Sequence, residues 1–244
     1  MRVITNEELI ENRRKWASRL SPLALFLLLG GLALNIFSMR SPETASPVYF
    51  YGTMGLLLTG FVTSTIASGL VNQWVREPRS DQILEQLLKG FDNKNTLLNY
   101  TLPTTPHILV GQSKVYSITT KGQDGDITVA NNKWKRKFRF SDVYRFFANE
   151  GLGKPFDEAK HNAEALAKYI QEHFPDDVAD EDLTIPIEPI IILTNSEVNL
   201  RVESTEIPTM KSGQLKAYLR QSAKGAALKA NVRQKLVEIL RRDV

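Results

Sequence analysis

Cysteine is absent from the 244-residue chain, and this removes three kinds of chemistry at once: a disulfide scaffold, a thiolate zinc site and a cysteine nucleophile. The absence agrees with a domain facing a reducing compartment. Histidine is scarce, and His107, His161 and His173 lack the spacing of a zinc site. After residue 75 there is no Walker loop, dinucleotide-binding glycine fingerprint or nucleophile elbow. Internal repeats and low-complexity tracts are missing as well.

Charge is missing in two places. Residues 20–37, LSPLALFLLLGGLALNIF, carry none, and neither do residues 48–75, VYFYGTMGLLLTGFVTSTIASGLVNQWV. A helix needs about 20 apolar residues to cross a bilayer core of roughly 30 Å. Both runs meet that length, so a transmembrane hairpin is expected over 20–75, preceded by a short amphipathic helix within 1–19. Thr5 and Glu8 have the spacing of a capping box at the start of that helix. The plainer alternative is a signal peptide followed by a core helix. Against it stand the length of the first run, the lack of a small-residue cleavage site, and the second run behind it.

Basic residues flank the runs unevenly. Arg2, Arg13, Arg14, Lys15 and Arg19 precede the first, Arg76 and Arg79 follow the second, and the short link holds Arg40 offset by Glu43. Positive charge stays on the cytoplasmic side. The expected location is therefore a cell membrane crossed twice, with both termini and the 76–244 domain cytoplasmic. Trp16 and Trp74 stand where inner interfacial anchors belong, and Tyr49 and Tyr51 near the outer edge. Gly60, Ser64 and Ser68 form a small-residue stripe suited to packing against Gly30 and Gly31.

Beyond residue 79 the pattern turns to that of a globular α/β domain. Ile83, Leu84, Leu87, Leu88 and Phe91 repeat at helical spacing after Ser80. Period-two runs then predict strands over 96–102, 107–110, 114–120, 127–130 and 133–140, with Asp124-Gly125 as a hairpin-type turn. Pro155 suits a first helical position, and a helix is expected to about Phe174. Residues 190–193 are wholly apolar, as in a strand covered on both faces. A strand at 200–202 and helices at 214–220 and 226–242 complete the chain.

From Arg76 onward there are 25 basic and 23 acidic residues, so the domain is nearly neutral but segregated. Residues 172–206 hold ten acidic and one basic residue; residues 211–244 hold nine basic and two acidic. In the 133–140 run, Lys133, Lys135, Lys137 and Arg139 share one face, opposite Trp134, Phe138 and Phe140, with Arg136 out of pattern. That basic face is the nucleic-acid-binding candidate. Its plain alternative is a solvated strand face that resists aggregation.

Three stretches together resemble the nuclease-related domain (NERD) family: TPHILVGQSKVYSITTKGQDGDI at 105–127 with Trp134 shortly after, KPFDEAKHNAEAL at 154–166, and EPIIILTNSEVNL at 188–200. The resemblance implies a PD-(D/E)XK, restriction-endonuclease-like αβββαβ core. In that fold an Asp and the Glu of a Glu-X-Lys motif hold a divalent metal, and the Lys orients water or stabilises charge at phosphate. Here the Asp position falls on Pro106, beside His107, and the Glu position on Thr119. Lys121 is retained, the helix glutamine becomes Glu158, and Asp81 takes the acidic position of the first helix.

Proline offers no side-chain ligand and a threonine hydroxyl is a poor one for a hard cation. The expectation is a degenerate site with no cofactor: Lys121 as a relic, with Asp81 and Glu158 beside it. It belongs to a membrane-anchored, catalytically silent module that binds nucleic acid or a protein partner. One alternative is an active Mg²⁺- or Mn²⁺-dependent nuclease with displaced ligands drawn from Asp124, Asp126, Asp81, Glu85 and Glu158. The other is an interaction protein that docks a partner or anionic lipid through Lys229, Arg233 and Arg241 of its basic C-terminal helix.

Overall fold

The computed structural model describes residues 1–40, 47–137, 152–175, 185–223, 225 and 227–241. They form two compact units. One is Glu8–Arg79; the other comprises Met1–Glu7 and the described residues from Ser80 onward.

The first unit is a pair of helices, α1 (Glu7–Arg40) and α2 (Pro47–Leu70), followed by a π-helical turn, Val71–Val75. The amphipathic helix expected within 1–19 and the first span are one uninterrupted helix. Both helices are long and apolar enough to cross a membrane, with windows of mean hydropathy 2.1 and 1.6. Their large side chains face outward: Phe26 is 74% exposed and Leu58 59%. A surface of that kind calls for a non-aqueous covering.

What the two helices bury is small. Ile10, Ala17, Ala24 and Gly31 line α1; Thr53, Gly60, Ala67 and Trp74 line α2 and the turn after it. Each set repeats every seven residues, so it stays on one seam of a supercoiled antiparallel pair. A Cβ on Gly31 would stand 2.8 Å from Leu57 Cδ2, and one on Gly60 3.0 Å from Leu28 Cδ2. Glycine permits this approach. Of the expected Gly60–Ser64–Ser68 stripe only Gly60 lies on the seam, because steps of four drift round a helix faster than steps of seven. Gly31, not Gly30, makes the close contact. Trp16 is exposed, whereas Trp74, expected as the second inner anchor, is buried in the seam. At the open end Arg14 donates to the Trp74 carbonyl and to Glu77, both at 2.9 Å.

The second unit has a six-stranded mixed sheet. Its strands are β1 (Arg2–Thr5), β2 (Thr96–Asn99), β3 (His107–Val110), β4 (Val115–Lys121), β7 (Ile187–Leu193) and β9 (Thr209–Lys211), in the spatial order β1-β2-β3-β4-β7-β9. β2, β3 and β4 are antiparallel neighbours; β1 joins β2, β7 joins β4 and β9 joins β7 in parallel. Helices α3 (Ser80–Leu87) and α5 (Leu215–Ser222) cover one face; α4 (Pro155–His173) and α6 (Ala230–Leu240) cover the other.

Strand periodicity distributes the core between the two faces. Leu97, Leu109, Tyr116, Ile118, Ile190 and Ile192 meet Leu84, Leu88, Leu215 and Leu219. Leu98, Ile108, Val110 and Val115 meet Leu166, Ile170, Val232, Leu236 and Ile239 on the other side. The apolar run at 190–193 is thus a strand enclosed on both faces, as parallel strands are. Each such fully buried aliphatic side chain contributes about 1.5–3 kcal/mol.

A second, three-stranded sheet has the order β6-β5-β8, from β5 (Gly125–Ala130), β6 (Lys133–Arg136) and β8 (Val198–Val202). Asn131 and Asn132, at φ 49° and 63°, make the two-residue turn between β5 and β6; asparagine tolerates that conformation well. Asp124-Gly125 does not close a hairpin. Gly125, at φ +88°, carries the chain from the first sheet into the second, and β4 and β5 are not paired. The stretch 138–151, which includes Arg139, Phe138 and Phe140, and most of the acidic loop lie outside the described residues.

Candidate functional site

The C-terminal end of β4 meets the N-terminal half of α4. β3 and β4 pair with His107 opposite Ile118, so the same register carried one step further sets Pro106 opposite Thr119. Thr119 is 2% exposed. Beside it, with the Asn162 amide assigned by its hydrogen-bond partners, the nitrogen donates to the Thr104 and Glu158 carbonyls at 2.7 and 3.3 Å and the oxygen accepts from Thr119 Oγ1 at 3.3 Å. Thr105 Oγ1 donates to the Asn162 carbonyl at 3.0 Å. Two residues on, Lys121 Nζ contacts Glu158 Oε2 at 2.5 Å, the lysine side chain 15% exposed and the glutamate 43%. Lys121 and Glu158, far apart in sequence, are thus brought together.

Asp81 is not part of that group. It lies at the start of α3, which covers the opposite face of the sheet, and is buried. It belongs to a second network centred on His107, whose Nδ1 is 2.9 Å from Asn99 Oδ1 and whose Nε2 is 3.0 Å from Ser80 Oγ. Ser80 Oγ also meets the Tyr100 hydroxyl at 3.0 Å, and Asn99 Nδ2 donates to Thr5 Oγ1 at 3.2 Å. With Asn99 Oδ1 as acceptor, His107 carries its proton on Nδ1 and its Nε2 accepts from Ser80. Burial lowers the imidazole pKa to about 4, opposed by the nearby Asp81 charge. His107 is therefore a neutral hinge of four segments, β1, β2, β3 and α3.

The basic face is built on the three-stranded sheet. Lys133, Lys135 and Lys137 are exposed. Arg136, out of pattern in the sequence, turns to the packed side and pairs with Asp124 at 2.5 Å. Thr128 is in register with Lys135 on one side and Arg201 on the other, which adds exposed Arg201 to the lysine row. Nothing local in the sequence signals Arg201, because its place depends on the parallel pairing of β8 with β5. Asp126, which accepts from Asn199 at 3.1 Å, and Glu203 share this face. Four positive charges against two negative leave it net positive by two.

The divalent metal implied by the resemblance would need anionic oxygens at the Pro106–Thr119 position. The carboxylate beside Thr119, among the described residues, is that of Glu158, and Lys121 engages it at 2.5 Å. Among the described residues no three His, Asp or Glu side chains gather where they could hold a metal ion. Asp124 is held by Arg136, so it is not free to replace a missing ligand. The described donors do not fit a hard cation that needs several anionic oxygens.

A helical pair able to enter a membrane, joined to a mixed α/β sheet domain, defines the class. Residues 73–194 match the family described as nuclease-related domain (NERD), half of the chain, and the chain belongs to that family. No curated protein and no solved structure matches it. The family span stops at the end of β7, so β8, β9, α5 and α6, together with β1, complete the domain from outside it.

Proposed function

We propose that this chain is a membrane-anchored nuclease-related module that binds nucleic acid, or a protein partner, without cutting it. The carrying observation is the Lys121–Glu158 ion pair beside Thr119 and Pro106. A lysine that would serve phosphate is occupied, and the oxygens that would hold a metal are absent from the two strands. The order α3, β2, β3, β4, α4 and β7, with the β5–β6 hairpin inserted, supports reading the domain as a restriction-endonuclease-like αβββαβ core. The binding surface is the face formed by Lys133, Lys135 and Lys137, extended by Arg201.

The test is a cleavage assay with labelled single- and double-stranded DNA and RNA in Mg²⁺, Mn²⁺ or EDTA, with Lys121→Ala protein as control for contaminating nuclease. No metal-dependent cutting above the control is expected. Cutting that disappears in Lys121→Ala would overturn the proposal.

The helix hairpin serves as the anchor. β1 precedes α1 and β2 follows α2, yet the two strands pair in one sheet. A chain so threaded crosses a bilayer an even number of times, which favours two spans with the domain and the N-terminus on one side, the cytoplasmic side by the flanking basic residues. The alternative of a docking C-terminal helix has less support. α6 spends its apolar side on the core, and Arg233 donates to the Lys94 carbonyl at 3.0 Å.

A further inference from the structure

At the end of the six-stranded sheet away from Lys121 and Glu158 lies a cleft of about 460 Å³. It is walled by the segment after α3, the β3–β4 turn and the last turn of α5, all within the globular unit. That volume falls in the range of small-ligand sites, about 300–1,000 Å³.

Its floor is made by the absence of a side chain. A Cβ on Gly111 would press to 2.9 Å from the Lys114 carbonyl and 3.2 Å from the Tyr116 ring. It would also stand 3.7 Å from Asn95 Oδ1. Asn95 is only 5% exposed, and its amide nitrogen is fixed by the Asp92 carbonyl at 3.0 Å. Its side-chain oxygen accepts no hydrogen bond among the described residues, and Asn95 lines the cleft. That oxygen is reached by solvent through the cleft, so a donor on a bound ligand can come to it in place of water.

The remaining walls say what kind of donor. Phe91, half-buried, supplies aromatic surface, and Tyr116, 3% exposed, backs the cleft from the core. Gln112 donates its amide to Asp92 Oδ2 at 2.6 Å, which leaves its oxygen as a second acceptor and holds the Asp92 carboxylate in place. Arg220, exposed at the end of α5, lines the rim and has no ion-pair partner among the described residues. A ligand that satisfies this set is flat, carries N–H donors on its ring and bears an anionic group at one end. A nucleobase with a phosphate has these features, since bases offer ring-edge N–H donors and a π-face for stacking, and guanidinium grips phosphate.

We infer that this cleft is a binding site for a nucleoside monophosphate, with the base directed to Asn95 and Gln112 and the phosphate to Arg220. It shares no residue with the basic face or with the Lys121–Glu158 pair.

The test is calorimetric titration of the full chain in detergent micelles with AMP, GMP, CMP and UMP, and separately with adenosine and inorganic phosphate. Saturable one-to-one binding of at least one monophosphate is expected, at least tenfold weaker in Arg220→Ala. Binding should also weaken in Gln112→Ala, a second surface change that tests the base end. Adenosine and phosphate alone should each bind more weakly than the monophosphate. Lys135→Glu with Lys137→Glu should leave this binding unchanged, which separates it from nucleic-acid binding at the other face. Absence of saturable binding by all four monophosphates would overturn the inference. So would an affinity that neither Arg220→Ala nor Gln112→Ala alters.

Discussion

His107 shows how one residue ties stability to pH. Because burial holds its pKa near 4 in the fold, against 6.5 as its ordinary value, the unfolded chain binds a proton between those pH values that the folded chain refuses. Folded and unfolded forms are both neutral at His107 above about pH 6.5, so no penalty acts there. As pH falls from about 6.5 toward 4 the fold loses up to about 3 kcal/mol from this group. Thermal unfolding of the full chain at pH 5 and pH 7.5 should show the loss, and His107→Gln should flatten it while lowering stability at pH 7.5. Equal pH dependence in the two proteins would contradict the role given to His107. The sequence pointed to His107 only as the neighbour of Pro106. Its partners Ser80, Asn99 and Tyr100 were illegible there, since hydrogen bonds that join α3 to two strands leave no local spacing. Asn162 was closer to legible, for it stands four residues after Glu158 and so shares its helix face.

Among the elements, those with strong local periodicity were readable and those made by distant pairing were not. His107–Val110 appears as expected because apolar residues bounded by turn residues leave little choice. β1 and β9, four and three residues long, exist because parallel neighbours supply their hydrogen bonds. Neither has enough length to announce itself. The Asp124-Gly125 turn misled for a related reason: a local turn signal does not say whether the next strand stays in the same sheet. In the helical pair the seven-residue seam makes Gly60 critical, and Gly60→Leu would force its side chain into Leu27 and Leu28. A destabilisation of about 1–3 kcal/mol is expected for such overpacking, read as easier separation of α1 from α2 in thermal unfolding in detergent. Ser64→Leu, off the seam, should cost less. For the basic face, affinity for a duplex should fall with salt at a log–log slope of roughly −3 if three to four phosphates are met. Filter binding across a salt series measures it. Lys135→Glu with Lys137→Glu should lower the slope by about two, whereas an unchanged slope would place the contact elsewhere.

For the whole molecule, the pairing of β1 with β2 places both ends of the helical pair's chain in one sheet, so the proposed membrane hairpin and the domain share one topology. The absence of cysteine makes that topology easy to examine. A single cysteine at Thr44→Cys, between the two helices, should react in intact cells with a membrane-impermeant maleimide. One at Gln234→Cys in the domain should react only after lysis. The reverse pattern would invert the orientation, and labelling of both would argue against a membrane-spanning hairpin. The family membership was legible from three short stretches; the pairing of Lys121 with Glu158 and the place of His107 opposite Ile118 were not, because each depends on contact between distant segments. A fragment beginning at Arg76 would lack β1, so activity must be measured on the full chain. The most direct measurement is therefore cleavage of labelled DNA and RNA by the full-length protein with Mg²⁺, Mn²⁺ or EDTA, set beside Lys121→Ala. A silent module predicts no metal-dependent product above the control; metal-dependent cutting abolished by Lys121→Ala would contradict it.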